Sequence, residues 1–530
     1  MFVTRLSLLL FVASTLVATE KPYWVFLDSE ASSPAVKLTS RAEQRLQLRG
    51  SEMSSGNFSV SEYHLDQLRT AGYQIRHASR FLNAVSVIVD SPDQLPELEA
   101  MPFVRFVTPV AQHPRDRFES TSLGNQLGRS STLAYGASAG QNEMLNIPEI
   151  HTLGYDGSGI LVGVTDTGFL TDHPVFDSID ILAQYDFLDH EVDASGPGQE
   201  HGINVLSALA GYYPGELIGP AYKATYLLAR TEDEYSESRA EEDNWVAALE
   251  WADSLGVDII SSSLNYFDQF DDPNENYPPS ALNGQTTISA QAANIAAERG
   301  ILVVNSAGNE HRANQVSTIW PPSDSPHVLS VGSVNSQEEI SYFSGRGPTY
   351  DGRIKPDVVA QGSLVYMASG TNGYIRGNGT SFSAPQIAGL AALLLQAHPT
   401  FSPDSVISVF QNHGDNVSAP NNSYGWGIPD LISLFPALKK GNPKNCLIYP
   451  NPGGYGELRM VLSNPTSNLP EVATLYDILG RKIADLSITQ ESGSIIKIII
   501  PSGLNLANQL LIITVETNTN VFSGKFIHLR

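Results

Sequence analysis

Apolar and polar positions divide the chain into four textures. Residues 23–27 form a compact apolar run, as a buried strand does, and residues 39–48 and 61–71 carry apolar positions at helical spacing. Residues 73–78 and 84–90 read as strands, 93–100 as a short helix and 104–110 as a closing strand. The order β-α-β-β-α-β predicts a ferredoxin-like α+β module over residues 20–112. A polar stretch rich in Ser and Gly, without periodicity, then predicts a linker over residues 113–134.

From residue 135 to about 440 the texture is different. Nearly continuous apolar strands at 159–165, 224–230, 257–262, 301–305 and 327–332 alternate with helices at 201–211, 244–255, 289–299 and 387–397. Strands apolar on both faces and joined through helices predict an α/β domain with a doubly wound parallel sheet. In such sheets, reactive groups gather at the carboxyl ends of the strands. Residues 443–530 change again. Short strands at 474–477, 495–500, 510–516 and 524–529, separated by Asn, Gly, Pro and Ser turns, predict a small all-β sandwich.

Composition narrows the class. A net charge of −25 argues against nucleic acid and anionic membrane as partners. The single cysteine, Cys446, rules out an internal disulfide framework and a thiolate metal cluster. Arg5 precedes an apolar run over 6–17 and then Ala18-Thr19, which reads as a secretory signal over residues 1–19. No later run reaches the roughly 18 apolar residues of a transmembrane helix. The expectation is an exported protein with no transmembrane segment.

Four side chains stand where such a sheet would collect them. Asp166 ends an apolar strand and precedes Thr167-Gly168; alone it reads equally as a turn aspartate. His201, before Gly202 at the start of a helix, can pass one nitrogen to a carboxylate and the other to a hydroxyl, or be a loop residue. Asn309 follows Ser306-Ala307-Gly308 past another strand; its amide suits an oxyanion, and Gly-Asn also suits a turn. Ser381 lies in Gly379-Thr380-Ser381-Phe382-Ser383-Ala384-Pro385, at the mouth of an Ala-rich helix whose first turn Pro385 fits. Ser381 there is either a nucleophile beside the positive helix end or, like Ser383, an N-cap. All four bland readings would have to coincide with the chain order Asp, His, Ser of one known catalytic triad.

With these blocks the chain resembles the subtilisin-like serine proteases, the subtilase or peptidase S8 family. Also matching are the stretches Asp258-Ile259-Ile260-Ser261-Ser262-Ser263-Leu264 and Gly352-Arg353-Ile354-Lys355-Pro356-Asp357-Val358. The resemblance implies a subtilisin-like catalytic domain over residues 135–440, with Ser381 as nucleophile, His201 as general base and acid, and Asp166 orienting it. Asn309 and the Ser381 backbone N–H would hold the oxyanion, and Ser263, Leu264 and Asn265 would form the substrate-binding edge. Two positions depart from the family: Ile203-Asn204 follows His201-Gly202, and Asn265 replaces a glycine, where its side chain would narrow the substrate pocket.

The first module is similar to the family's propeptide, which implies a zymogen inhibited by its own N-terminal domain and cut between about residues 112 and 135. The last module resembles the C-terminal sorting domain of the type IX secretion route. That likeness is carried by Tyr449-Pro450-Asn451-Pro452, by Leu475 to Arg481 and by Gly524-Lys525, so the secretion machinery is an expected partner. Seven carboxylates between Glu232 and Asp243 read first as a solvated loop, and second as a site for basic substrates or calcium. Residues 268–274 are similar in oxygen content but match no EF-hand spacing. No cofactor is expected to be required, with calcium conceivable as a structural ion. The expected function is secreted endopeptidase action on proteins or peptides. A silent surface-binding scaffold and an esterase using the same nucleophile are the rival classes.

Overall fold

Alternation within single strands shows how the central sheet is built. In β5 (Leu161–Asp166), Val162 and Val164 enter one apolar cluster and Leu161 the opposite one. A sheet buried on both faces is the consequence, as the continuous apolar runs predict. The computed structural model describes residues 21–28, 35–50, 56–110, 133–196, 198–233, 239–267, 276–310 and 317–435, together with strands between 444 and 528.

The N-terminal module runs β1 (Lys21–Leu27), α1 (Ser40–Arg49), α2 (Glu62–Thr70), β2 (Gln74–Ser79), β3 (Ala84–Val89), α3 (Leu95–Glu99) and β4 (Val104–Pro109). Its antiparallel sheet has the order β2-β3-β1-β4. Two helices separate the first two strands, as the helical spacing at 39–48 and 61–71 predicts, so α1 is an addition to the ferredoxin-like order. One face of this sheet packs on α2 and α3. The other sends Trp24 and Phe26, together with Phe81 of the β2–β3 turn, into the same cluster as Trp245, Leu249 and Ile288 of the next module.

Two short helices, α4 (Ala139–Glu143) and α5 (Ile147–Thr152), open the central module. The main sheet then takes β5, β6 (Asp180–Asp186), β9 (Thr225–Arg230), β10 (Ile259–Ser262), β11 (Leu302–Ser306), β12 (Val328–Val334) and β13 (Val358–Gln361). All seven pair in parallel, in the order β13-β12-β11-β10-β5-β9-β6. Helices α6 (Glu200–Ala210) and α9 (Thr380–Ala397) cover one face, and α7 (Arg239–Leu255) and α8 (Ile288–Glu298) the other. Two hairpins, β7–β8 (Tyr212–Tyr213 with Leu217–Ile218) and β14–β15 (Val365–Ser369 with Gly373–Gly377), and helix α10 (Pro403–Asn412) complete the module.

Residues 436–530 form a separate unit. Its strands are β16 (Lys444–Asn445), β17 (Leu447–Tyr449), β18 (Gly456–Val461), β19 (Val472–Asp477), β20 (Lys482–Ser492), β21 (Ile495–Ile500), β22 (Gln509–Glu516) and β23 (Val521–His528). β20 pairs with β19 through its first half and with β21 through its second. Leu458, Leu475, Leu486, Ile498 and Ile513, from both halves of this sheet, share one core.

Candidate active site

Parallel pairing brings the ends of β5 and β11 to one edge of the sheet. Asp166, the last residue of β5, is fully buried and receives the Thr167 backbone N–H at 2.8 Å. His201, in the first turn of α6, places Nδ1 2.8 Å from Asp166 Oδ1 and 3.0 Å from Oδ2. A carboxylate accepts, so Nδ1 carries the proton and Nε2 of the neutral ring is left as the acceptor. The Phe382 ring, 5.8 Å from the His201 ring, sets the first turn of α9 beside it.

Gly379 occupies the cap position of α9, so neither Ser381 nor Ser383 is its N-cap. Ser383 instead donates to the Ala360 carbonyl at 3.1 Å. Pro385 is the sixth residue of the helix, one turn deeper than the sequence implies. Having no N–H, it leaves the Ser381 carbonyl without its helical donor. Ser263 Oγ supplies one at 2.8 Å. The proline therefore frees an acceptor through which the loop after β10 is fastened to Ser381, which is itself buried.

Asn309 is clamped to the same turn. Thr380 donates its backbone N–H to Asn309 Oδ1 at 2.8 Å and its hydroxyl at 2.9 Å. A backbone N–H can only donate, which identifies the oxygen and turns Nδ2 the other way. A methyl group added to Gly379 would lie 3.6 Å from that Nδ2. The side-chain amide thus faces the backbone just ahead of Ser381.

Asn265 does not hang free at the edge. Its Nδ2 donates to the carbonyls of Ser306 at 3.0 Å and Trp320 at 3.3 Å, and its Oδ1 accepts from Ser306 Oγ at 3.2 Å. It ties the loop after β10 to the loop after β11. Leu264 is buried in the cluster beneath, and its carbonyl accepts from Asn305 Nδ2 at 2.9 Å. Asn305, which sequence reasoning missed, is a buried polar residue inside an apolar strand, and that contrast is its only sequence signal. Asn204 donates to the Ala368 carbonyl at 2.7 Å, and Ser207 accepts from the Ala368 N–H at 2.9 Å. The β14–β15 hairpin so fixes the helix that carries His201.

The acidic run departs from its expected solvation. Glu232, Glu241, Glu242 and Asp243 are all buried. Each finds a donor far away in sequence or across a turn: Tyr266 Oη, the Asp233 N–H, the Ser289 N–H and Arg76, all at 2.7 Å. Residues 234–238 and the whole of the second stretch, 268–274, lie outside the described residues. Among the described residues no group of three or more His, Cys, Asp or Glu side chains is placed to hold a metal, and no helix is long and apolar enough to cross a membrane.

Comparison with known proteins gives a consistent match. Residues 157–427 match the Subtilase family, peptidase S8, and residues 22–122 match the peptidase S8 propeptide domain of Bacteroidota. Subtilisin E of Bacillus subtilis (strain 168) is 27% identical over 339 residues, covering 64% of this chain and 77% of that protein. Subtilisin of Bacillus pumilus is 28% identical over 275 residues, covering 52% and 88%. Among solved structures, MycP1 from the ESX-1 type VII secretion system superposes with a TM-score of 0.47 at 20% identity, over 62% of this chain and 91% of that one. The chain belongs to the subtilase family: it is a subtilisin-like serine protease preceded by an S8-type propeptide domain.

Proposed function

We propose that the protein is a secreted endopeptidase in which Ser381, His201 and Asp166 form the catalytic triad and Asn309 the oxyanion hole. One observation carries this function: the hydrogen-bonded His201–Asp166 pair lies beside Phe382, and the Asn309 amide is bonded to Thr380, so the two groups flank Ser381. In the reaction, His201 Nε2 takes the Ser381 proton as Oγ attacks the scissile carbonyl. The oxyanion accepts from Asn309 Nδ2 and the Ser381 N–H, near the positive end of α9. His201 then gives its proton to the leaving amine, and water, deprotonated the same way, releases the acyl group. Losing an Asn donor of this kind costs roughly a hundred- to a thousandfold in turnover, a magnitude taken from subtilisin itself.

Residues 263–265 would take the substrate as an added strand. With Asn265 bridging to Trp320, the crevice beside Ser381 favours a small side chain before the scissile bond. Residues 20–112 act as the inhibitory propeptide, residues 113–134 hold the processing bond, and residues 135–440 are the mature catalytic domain. Residues 1–19 direct export and residues 443–530 engage type IX secretion, a reading supported by the Bacteroidota character of the propeptide. Calcium is not assigned to the described part of the acidic run, whose carboxylates Glu232, Glu241, Glu242 and Asp243 take protein donors.

The test compares secreted, processed protein with Ser381→Ala, using a fluorophosphonate probe and then casein. Labelling and cleavage in the parent, both lost in the variant, support the function. Labelling without casein cleavage moves it to another acyl substrate. Absence of labelling in folded, processed protein overturns it.

A further inference from the structure

Helix α1 is the element that the ferredoxin-like order does not require, and its sequence, Ser40-Arg41-Ala42-Glu43-Gln44-Arg45-Leu46-Gln47-Leu48-Arg49, has little apolar surface to bury. Arg41, Arg45 and Arg49 recur every four residues and so share one face. All three reach into the catalytic module. Arg41 donates to the carbonyls of Gly256 and Gly159, each at 3.0 Å, and pairs with Asp258. Arg45, 2% exposed, donates to the carbonyls of Val257 at 2.8 Å and Arg299 at 3.0 Å and pairs with Asp253, whose side chain is fully buried. Arg49 lies 2.9 Å from Asp258 Oδ1 and donates to the Pro399 carbonyl at 2.7 Å.

The partners share a location. Gly159 precedes β5, Asp258 precedes β10, and Gly300, where a methyl would meet Arg49 Cβ at 2.8 Å, precedes β11. In a parallel sheet these are the amino ends, opposite the edge that holds Asp166 and Asn309. A methyl on Gly256 would likewise meet the Ala42 nitrogen at 2.6 Å, so the helix is seated against bare backbone. Asp258 also accepts the Leu161 N–H at 2.9 Å, joining this contact to the central strand pair.

We propose that α1 is a second anchor of the propeptide: an arginine ladder docked on the amino edge of the catalytic sheet, which holds the propeptide there independently of the active-site cleft. Severing the chain between the modules then leaves the propeptide bound, because each contact keeps the other at high effective concentration. The inference rests on the propeptide assignment and not on the role of Ser381, and its test uses no turnover.

The full chain would carry Ser381→Ala and a recognition sequence for a site-specific protease inserted between Arg117 and Phe118. After cutting, dissociation of the fluorescently labelled N-terminal piece would be followed by gel filtration and stopped dilution. In the parent the piece should co-elute with the catalytic domain. Arg45→Ala should remove two buried bonds to the Val257 and Arg299 carbonyls and one of three arginine partners of Asp253, beside Arg80 and Arg299, and speed dissociation about a hundredfold. Arg41→Ala and Arg49→Ala, at the margins of the contact, should each speed it about tenfold. Arg69→Ala, on α2 and paired among the described residues with Glu62 and Asp66 of its own helix, should leave it unchanged. If Arg45→Ala does not accumulate as folded protein, the two marginal variants decide. Immediate loss of the piece from the parent, or rates for Arg41→Ala and Arg49→Ala within twofold of it, would overturn the second anchor.

Discussion

Replacing Gly202 by alanine tests how the site is held without touching any group that reacts. The added methyl would lie 2.0 Å from the Gly168 carbonyl oxygen and 3.2 Å from the Phe169 ring. Carbon and oxygen approach to about 3.3 Å, so the start of α6 must retreat by about 1.3 Å. Gly168 is two residues past Asp166 and Gly202 is next to His201, so the retreat separates the 2.8 Å pair itself. A misplacement of about 1 Å costs about a hundredfold in rate, whereas overpacking one contact costs about 1–3 kcal/mol of stability. We therefore expect kcat/KM on a peptide substrate, and the rate of fluorophosphonate labelling, to fall together by about a hundredfold. The melting temperature, measured in a Ser381→Ala background to prevent self-digestion, should fall by only a few degrees. A variant that keeps a third of the parent activity at an unchanged melting temperature would show that this contact is slack. A collapse of the melting temperature would show that the methyl disrupts the domain rather than displacing His201.

Asn265→Gly should open the crevice between the loops after β10 and β11, and the kcat/KM ratio for Phe over Ala before the scissile bond should rise about tenfold; an unchanged ratio refutes the bridge as a size limit. Lys355→Met leaves Asp357 buried without the ammonium now 2.6 Å away, and should cost about 3–5 kcal/mol in denaturant unfolding of the Ser381→Ala chain; a loss below about 1 kcal/mol removes that pair from the account. His77 of the propeptide donates to Asn244 Oδ1 at 2.9 Å and sits beside Arg76 and His190; burial lowers it to about 4. The free ring near 6.5 takes up a proton first, so the His77 contribution to retention of the cut propeptide should be full above that pH and be lost as pH falls towards 4. His77→Gln should remove this component, measured as the difference in dissociation rate, which separates it from Asp243, raised to about 7 by burial and opposite in sign.

Much of the architecture is legible because it depends on local patterning. Continuous apolar runs place five of the seven sheet strands, and the strand and helix ends that carry Asp166, His201, Asn309 and Ser381 follow from them. The missed elements lack that signal. β6 and β15 alternate or mix polar residues at the margins, and β13 and β14 are short runs interrupted by Gly362 and Ser363. The acidic run reads as solvated since its neutralising donors, Arg76 and Ser289 among them, are remote along the chain. Pro385 reads as a first-turn proline because only the tertiary contact from Ser263 shows why a deeper position is tolerated. The arginines of α1 have ordinary surface spacing, and the carboxylates they meet lie more than two hundred residues away.

Helix α9 is buried without interruption from Thr380 to Leu395, with Gly389 so close to Pro220 that a methyl would come within 2.6 Å. The element bearing Ser381 is thus not a loop that can fray on its own. Local openings near Ser381 would have to expose the central core, at a free energy close to that of global unfolding. Thermal inactivation of the mature enzyme should therefore follow a single cooperative event, and its working lifetime should be set by the unfolding rate of the whole domain rather than by wear at the active site.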